Sequence, residues 1–392
     1  MSTDVILPPA TIGILGGGQL ASMLCEAGKR MGYRMRVLSE DAGDPAHRWA
    51  DEDVVCDWQE TAAGRGGRPW EEFLAGLSVL TNEFEQVPSE LLRTVERAHP
   101  EIRVAPGSQV QRVCQDRREE KRLFEAGGFP HGPFAAVEHA GEAVAAYERL
   151  SEGGKRRVVA KTARGGYDGK GQMWLAHVGD AQRVWAELGE VPLLLEAGIE
   201  FVAEGSVIVA RSGPGACVSF PMFGNTHRNG ILFQTVMPAG FSAETEKQAR
   251  TCAAGIAEKL GVVGLLAVEM FVLSDGRVLM NELAARPHNS GHVTLRAATR
   301  SQFELHIAAV CNLPLAAPEV LAPGVMTNLL GDLWAKREPA WAALFREPRG
   351  TLHLYGKEPR PGRKMGHMIH TAATTEGALA EADRVFAQLT RG

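Results

Sequence analysis

VVGLLAVEMFVLSDGRVLMNELAARPHNSGH, residues 262–292, holds a buried-type apolar run that passes straight into Glu269 and resumes as Met270 to Leu273. Ser274-Asp275-Gly276-Arg277 follows, and an Asp-Gly pair between two apolar runs is a strong signal for a two-residue hairpin turn. Val278 to Leu283 is then the return strand. With Asp275 and Gly276 as the loop, Ser274 faces Arg277 and the ladder carries Glu269 opposite Glu282. Facing residues on one side of a sheet have Cβ atoms roughly 4.5–5.5 Å apart. Two ionised carboxylates at that spacing repel by about 3 kcal/mol at an effective dielectric of about 20. Either one carboxyl keeps its proton or a cation sits between them, and magnesium carrying nucleotide phosphates is bound through few carboxylates. A solvent-facing edge hairpin with unpaired acids is the plainer alternative, and the apolar residues around Glu269 argue against it.

Directly after this hairpin, Arg286-Pro287-His288-Asn289-Ser290-Gly291-His292 packs several polar side chains into seven residues, as the wall of a polar cleft would. Upstream, Val158-Val159-Ala160-Lys161 is a strand ending in a lysine. Gly165-Gly166-Tyr167-Asp168-Gly169-Lys170-Gly171 follows, a loop able to lay backbone amides against phosphate oxygens. It is no Walker A loop, because glycine rather than Ser or Thr follows Lys170. Alone, it reads equally as a flexible hairpin tip. Leu193-Leu194-Leu195-Glu196 is a buried-type strand ending in an acid, with Glu204 eight residues on. Both are weak signals for contact with adenine or ribose.

At the other end, Thr11 to Leu15 is a short strand, Gly16-Gly17-Gly18 a turn, Gln19 to Gly32 a helix and Arg34 to Leu38 a second strand. That order implies a right-handed βαβ unit with a parallel sheet. Gly16 to Ala21 satisfies G-x-G-x-x-A, and Glu40 stands where a dinucleotide-binding acid would. Taken alone, this favours an NAD-type oxidoreductase, a reading that leaves the glutamate pair unexplained. The physics is less selective, since a helix N-terminus binds any phosphate, including that of a sugar-phosphate substrate. Ala62 to Pro69 reads as a surface loop, Leu77 to Leu80 as a strand, and Asp116 to Ala126 and Ala243 to Leu260 as helices. The expected division is an N-terminal Rossmann-like unit at 1–112, a second at 113–310 and a C-terminal unit at 311–392.

Composition bounds the alternatives. The chain has 392 residues, 45% hydrophobic and 23% charged, with a net charge of −5, so nothing electrostatic points to nucleic acid or an anionic membrane. Its six cysteines are scattered without a CxxC pair, which disfavours disulfides or a zinc site and suits a reducing compartment. No signal peptide or membrane-spanning run is evident, and a cytoplasmic location is expected.

Together, the strand lysine, glycine-rich lid, acid-ended strand and paired-Glu hairpin resemble the ATP-grasp superfamily of α/β ligases. Within it the chain resembles the 5-(carboxyamino)imidazole ribonucleotide synthetase family. The matching stretches include Gly13 to Leu20, Asn82-Glu83-Phe84-Glu85, GGYDGKGQ at 165–172, and His227 to Ile231. Further along come RPHNSGH at 286–292, Ser301-Gln302-Phe303-Glu304 and RPGRKMGH at 360–367. The resemblance implies an ATP-grasp fold with a Rossmann-like N-terminal domain and a small C-terminal one. It implies that Arg117, Lys161, the lid with Gly166, Tyr167, Asp168, Gly169, Lys170 and Gly171, the segment Glu196-Ala197-Gly198-Ile199, Glu204, His227, Asn281 and Glu282 bind ATP. Glu269 and Glu282 would hold magnesium. Gly18, Gln19, Leu20, Glu83, Tyr167, Asn289, Lys357 and Arg363 would contact the ribonucleotide, and Asp168, Arg286, His288 and Lys357 would serve catalysis. Ala21 and Ala285 depart mildly from the family pattern. Ala284 stands where the wider superfamily often has an Asn, so water is expected at a third metal position.

The implied reaction joins ATP, bicarbonate and 5-aminoimidazole ribonucleotide. Bicarbonate attacks the γ-phosphate, and carboxyphosphate, or CO₂ from it, is captured by the exocyclic amine. Phosphoryl transfer needs positioning and positive charge more than covalent chemistry, which Lys161, Lys170, Arg286 and magnesium would supply. The lid would exclude water from carboxyphosphate. A homodimer is expected. The alternatives are another ATP-grasp ligase, such as a formate-dependent glycinamide ribonucleotide transformylase, the oxidoreductase, and a non-catalytic nucleotide-binding protein.

Overall fold

The computed structural model describes residues 4–166, 170–213 and 215–391. Thr11–Leu15, buried along nearly its whole length, is the centre of a five-stranded parallel sheet. The order across it is Glu52–Val55, Arg34–Ser39, Thr11–Leu15, Leu77–Asn82, Arg103–Val104. The chain therefore leaves the first strand to one side and later returns on the other. The crevice at the carboxyl ends of strands flanking such a reversal is where open α/β sheets bind ligands. Gly16–Gly18 and Asn82–Glu85 both emerge there. The segment read as a loop from Ala62 to Pro69 is shorter than expected, because Gly67-Arg68-Pro69 already belongs to a helix, Gly67–Leu74. Proline is well tolerated in a first helical turn, where its missing N–H has no intrahelical partner to lose.

A four-stranded antiparallel sheet follows, ordered Phe134–Val137, Leu193–Ala197, Val158–Thr162, Gln172–Leu175. Helices Ala143–Ser151 and Val178–Glu187 bury Tyr147, Leu150 and Val184 in its core. Val159 pairs with Glu196, so Glu196 and Lys161, two residues further on, share a face.

The largest sheet has nine strands. It runs from Val278–Ala284 through Gly264–Val272, Ala203–Gly213, Phe223–Arg228 and Ile231–Met237 to Gly324–Leu330, Lys364–Thr371 and Gly350–Leu354. Ala216–Ser219 pairs alongside Ala203–Gly213. The C-terminal strands thus extend the sheet that carries the carboxylate hairpin, and the connection from Leu354 to Lys364 returns over the N-terminal crevice. Helix Ala243–Leu260 is capped by Ser242, whose side chain accepts from Thr245 N–H, and it ends at Gly261 with φ 70°. Helix Arg117–Gly127 starts under the Asp116 cap and ends at Gly128, φ 66°. Despite its charge it turns Glu120, Lys121 and Phe124 inward. No helix among the described residues is long and apolar enough to cross a membrane.

The hairpin confirms the facing of Glu269 and Glu282 but corrects the reason for it. Val272 pairs with Val278, Phe271 with Leu279 and Met270 with Met280. Leu273 N–H donates to Arg277 O at 2.9 Å and Gly276 N–H to Leu273 O at 2.9 Å, so the loop has three residues, Ser274 to Gly276, and not two. Gly276 occupies the left-handed position with φ 84°. This longer loop shifts the return strand by one residue. A bulge at Asn281 then shifts it back, and Glu269 pairs with Glu282. The two departures cancel. Gly276→Ala should therefore destabilise the chain by about 1–2 kcal/mol, the cost of a left-handed L-residue, measured by urea unfolding; an unchanged midpoint would refute this loop geometry.

Candidate active site

Across the hairpin, each carboxylate of the facing pair has its own basic partner. His288 Nε2 lies 2.9 Å from Glu269 Oε1, and Arg117 NH2 lies 3.3 Å from Glu282 Oε1. Burial works to raise Glu269, but the hydrogen bond and charge of His288, with His227 and Arg286 beyond, hold it at about 2. Glu282 goes the other way: burial, with the charges of Glu269 and Glu85, raises it against the pull of Arg117 and Lys161. Repulsion within the pair is thus settled unequally, with Glu269 the firm anion. Among the described residues no group of three or more His, Cys, Asp or Glu side chains is arranged to hold a metal. Two carboxylates in register fit magnesium, which takes its remaining oxygens from water and phosphates.

Beside the pair lies a lysine–glutamate cluster. Lys161 Nζ is 2.6 Å from Glu196 Oε2 and Lys121 Nζ is 2.7 Å from Glu196 Oε1. Burial opposes ionisation of Glu196, yet the two ammonium groups hold its carboxyl far below the ordinary range. Burial likewise pulls Lys161 down, and Glu196 and Glu282 outweigh it and hold the ammonium above its usual value. Ala197 and Gly198 continue from the strand end, donating to Pro133 O at 3.0 Å and Arg157 O at 2.7 Å, and Ile199 follows. Arg117 fastens the near end of the glycine-rich loop. Its guanidinium donates to Thr162 O at 3.0 Å, Gly165 O at 2.5 Å and Gly166 O at 2.9 Å. Gly171 O accepts from Thr162 N–H at 2.9 Å on the other side. Tyr167, Asp168 and Gly169 lie outside the described residues. Farther along the sheet, His227 Nδ1 sits 2.7 Å from Glu204 Oε2, which raises the imidazole against the effect of burial.

The N-terminal crevice forms the other half. Gly18 N–H donates to Glu83 Oε1 at 2.9 Å, and Lys357 Nζ donates to Gln19 Oε1 at 2.5 Å. Lys357 therefore does fold back over the glycine loop from 338 residues away in sequence. Burial lowers its ammonium, with Glu83 opposing and Arg363 assisting. Leu20 points into the hydrophobic core, leaving only its backbone for a ligand. Arg286 NH2 binds Glu85 Oε2 at 2.8 Å, joining the segment after the carboxylate hairpin to the loop that carries Glu83. Asn289 is engaged in a reciprocal amide pair with Asn328, at 3.2 and 2.6 Å.

Glu40 does not serve a dinucleotide ribose: its Oε1 accepts the N–H of Trp58 at 3.0 Å, at the start of helix Trp58–Ala62. A carboxylate, Glu83, occupies the amide of Gly18. Both features count against pyrophosphate on this loop.

Several site residues were not singled out from sequence. Lys121 bridges Glu196 and the bulged strand, donating to Asn281 O at 2.9 Å. Glu120, buried, accepts from Leu283 N–H at 2.9 Å. The signal was present, because Arg117, Glu120, Lys121 and Phe124 recur at helical spacing along one face. It is easily missed when that face is charged.

This geometry defines an ATP-grasp ligase with a preceding Rossmann-like domain. Residues 9–115 match a ribonucleotide synthetase preATP-grasp domain, 122–303 an ATP-grasp domain, and 324–381 a phosphoribosylaminoimidazole carboxylase C-terminal domain. The chain belongs to the N5-carboxyaminoimidazole ribonucleotide synthase family. It is 38% identical to the enzyme of that name from Bacillus subtilis, over 94% of this chain and 93% of that one. It superposes with a TM-score of 0.88 on an ADP complex of an N5-carboxyaminoimidazole ribonucleotide synthetase, at 36% identity and covering 98% of both chains. The Aspergillus clavatus synthase in complex with ADP and 5-aminoimidazole ribonucleotide gives a TM-score of 0.86 at 26% identity, covering 98% of this chain and 99% of that one.

The unequal carboxylates yield a stability prediction. Glu269 titrates at about 2 in the folded chain against an ordinary 4.5, so its contribution is whole above pH 4.5 and disappears as pH falls toward 2. Glu269→Gln should cost about 1.5–3 kcal/mol at neutral pH, the worth of a hydrogen bond to a charged group, and should flatten the acid limb of the stability curve. Glu282→Gln, relieved of repulsion, should hold or raise the melting temperature without ligand. If both variants melt alike, the two carboxylates are not differently held. Calorimetry supplies a second check: the glycine loop should bind 5-aminoimidazole ribonucleotide and show no micromolar affinity for NADH, and the opposite result would restore the dinucleotide reading.

Proposed function

We propose that the chain carboxylates 5-aminoimidazole ribonucleotide with bicarbonate at the expense of ATP, giving N5-carboxyaminoimidazole ribonucleotide, ADP and phosphate in purine biosynthesis. One observation carries this reading above all. Arg286 and Glu85 tie the carboxylate hairpin to the crevice where Lys357, Gln19, Gly18 and Glu83 converge, so a nucleotide half and a sugar-phosphate half share one cleft.

In this mechanism Lys161, Arg117, Glu196 to Ile199, Glu204, His227 and Asn281 hold ATP. Lys161 keeps its charge beside the phosphates, and Arg117 anchors the lid that shuts out water. Glu269 and Glu282 would hold magnesium, which neutralises phosphate charge when bound. Bicarbonate oxygen attacks the γ-phosphorus, the bond to ADP breaks, and carboxyphosphate forms. Arg286 stabilises the charge that develops there, and His288 and Asp168 orient the attacking group. The exocyclic amine then forms its bond to the carboxyl carbon, directly or by way of CO₂, giving up one proton as the bond between that carbon and the phosphate oxygen breaks and phosphate leaves. Lys357, its ammonium lowered by burial, contacts the ribonucleotide with Gly18, Gln19, the backbone of Leu20, Glu83, Asn289 and Arg363, and the family resemblance adds Tyr167. The units 1–112, 113–310 and 311–392 supply the ribonucleotide crevice, the ATP site and the returning lysine segment. The active form is a cytoplasmic homodimer.

The direct test is ADP release in bicarbonate, with and without 5-aminoimidazole ribonucleotide. Strong stimulation by the ribonucleotide is expected, and stimulation instead by glycinamide ribonucleotide with formate would move the chain to another ATP-grasp ligase. His288→Ala should lose at least about a hundredfold in kcat, the low end for a positioned acid–base group, while KM for ATP holds. A change confined to KM for ATP would place His288 in the wrong half of the reaction.

A further inference from the structure

His288 is gripped from two sides by buried residues that the scheme above does not use. On the peptide side stands Gln302, fully buried at the start of helix Gln302–Val310. Its Oε1 accepts from His288 N–H at 2.8 Å, and its Nε2 donates to His288 O at 2.7 Å. One side-chain amide thus pairs with both backbone groups of a single residue, as a neighbouring strand would. The fit admits no slack: a Cβ on Gly291 would come within 2.3 Å of Gln302 Oε1.

On the ring side, His288 Nδ1 lies 2.8 Å from Ser290 Oγ, and Ser290 Oγ lies 2.8 Å from Ser206 Oγ. Ser206 accepts from Asn225 Nδ2 at 3.0 Å, and Asn225 Oδ1 accepts from Thr235 at 3.0 Å. Ser206, Ser290 and Thr235 are completely buried. Ser206 is also in register with Glu269 on the adjacent strand, so one position of the sheet supports both the imidazole and its carboxylate partner. Burying four polar side chains in a sheet core is costly unless every one is satisfied, and satisfied chains of this kind rigidify what they touch.

We propose that Gln302 and Ser206 are positioning residues that act on the reaction through His288. Gln302 fixes its peptide, and Ser206, by way of Ser290, fixes its ring, which keeps Nε2 on the cleft side against Glu269. The inference rests on the reading of His288 given above. It assigns a role to Gln302 within the Ser301-Gln302-Phe303-Glu304 stretch, which the scheme above does not use.

The test is a double-mutant cycle on the full chain. Gln302→Glu turns the donor facing His288 O into an acceptor at constant volume, and Ser206→Ala removes one oxygen. Each is made alone and in combination with His288→Ala, and steady-state kinetics vary ATP, bicarbonate and ribonucleotide in turn, with melting temperatures alongside. Each single variant should lose about tenfold to a hundredfold in kcat, the range for a lost orienting partner, with KM for ATP unchanged. Adding either to His288→Ala should cost nothing further, because the group they position is already gone. Losses that multiply, or single variants with wild-type kcat, would overturn the positioning role and leave that of His288 standing. A wild-type rate in His288→Ala alone would remove the reading of His288 and this proposal with it. If Gln302→Glu fails to fold, Ser206→Ala decides the matter by the same cycle.

Discussion

Glu269 and Glu282 stand opposite each other on adjacent strands, where two ionised carboxylates repel by about 3 kcal/mol. Much of the surrounding cleft is organised around that repulsion. His288 takes one carboxylate and Arg117 the other, and each of these side chains reaches further. Through Arg117 the pair is joined to the carbonyls at the base of the lid. Through His288 it is joined to the buried hydroxyl chain that crosses the sheet. One electrostatic arrangement at the centre thus reaches both the glycine-rich loop and the interior of the large sheet.

Helix Arg117–Gly127 shows how little secondary structure this requires. Its inward face is charged where an ordinary helix would be apolar. Arg117 serves the lid and Glu282, while Lys121 serves Glu196 and the bulged carbonyl of Asn281. Glu120 accepts the N–H of Leu283. Burial, with the charge of Glu282 added to it, pushes Glu120 well above the ordinary carboxyl range. Phe124 joins the apolar core in the usual way, with Leu123 packed partly buried against it. The helix gives up hydrophobic burial along one stripe and in return satisfies backbone groups of a bulged strand at the edge of its sheet.

Much of the site was legible in residue order because strands and helices have fixed periods. Short apolar runs placed Lys161 and Glu196 near strand ends, and the hairpin rule placed Glu269 against Glu282. That second success depended on compensation: the loop is one residue longer than an Asp-Gly turn suggests, and the Asn281 bulge restores the register. Turn type depends on backbone dihedrals that several sequences can satisfy, and a bulge depends on what lies beside the strand, here Pro130 accepting from Met280 N–H. Glu40 shows the opposite case, since its spacing suits a ribose but the backbone N–H of Trp58 claimed its carboxylate.

By itself, the sequence determined the local elements, the ligase class and the chemical types of the site residues, because these follow from short-range periodicity and from dense motifs. Only the tertiary structure decided which charges meet. The Lys357–Gln19 contact spans 338 residues, and Arg286–Glu85 spans 201. The first arises because the nine-stranded sheet carries the C-terminal segment back over the N-terminal crevice, and the second because the segment following Val278–Ala284 meets the loop after Leu77–Asn82. The titration of each carboxylate is likewise a tertiary property. Burial and neighbouring charge set it, and neither can be read from a residue's neighbours in the chain.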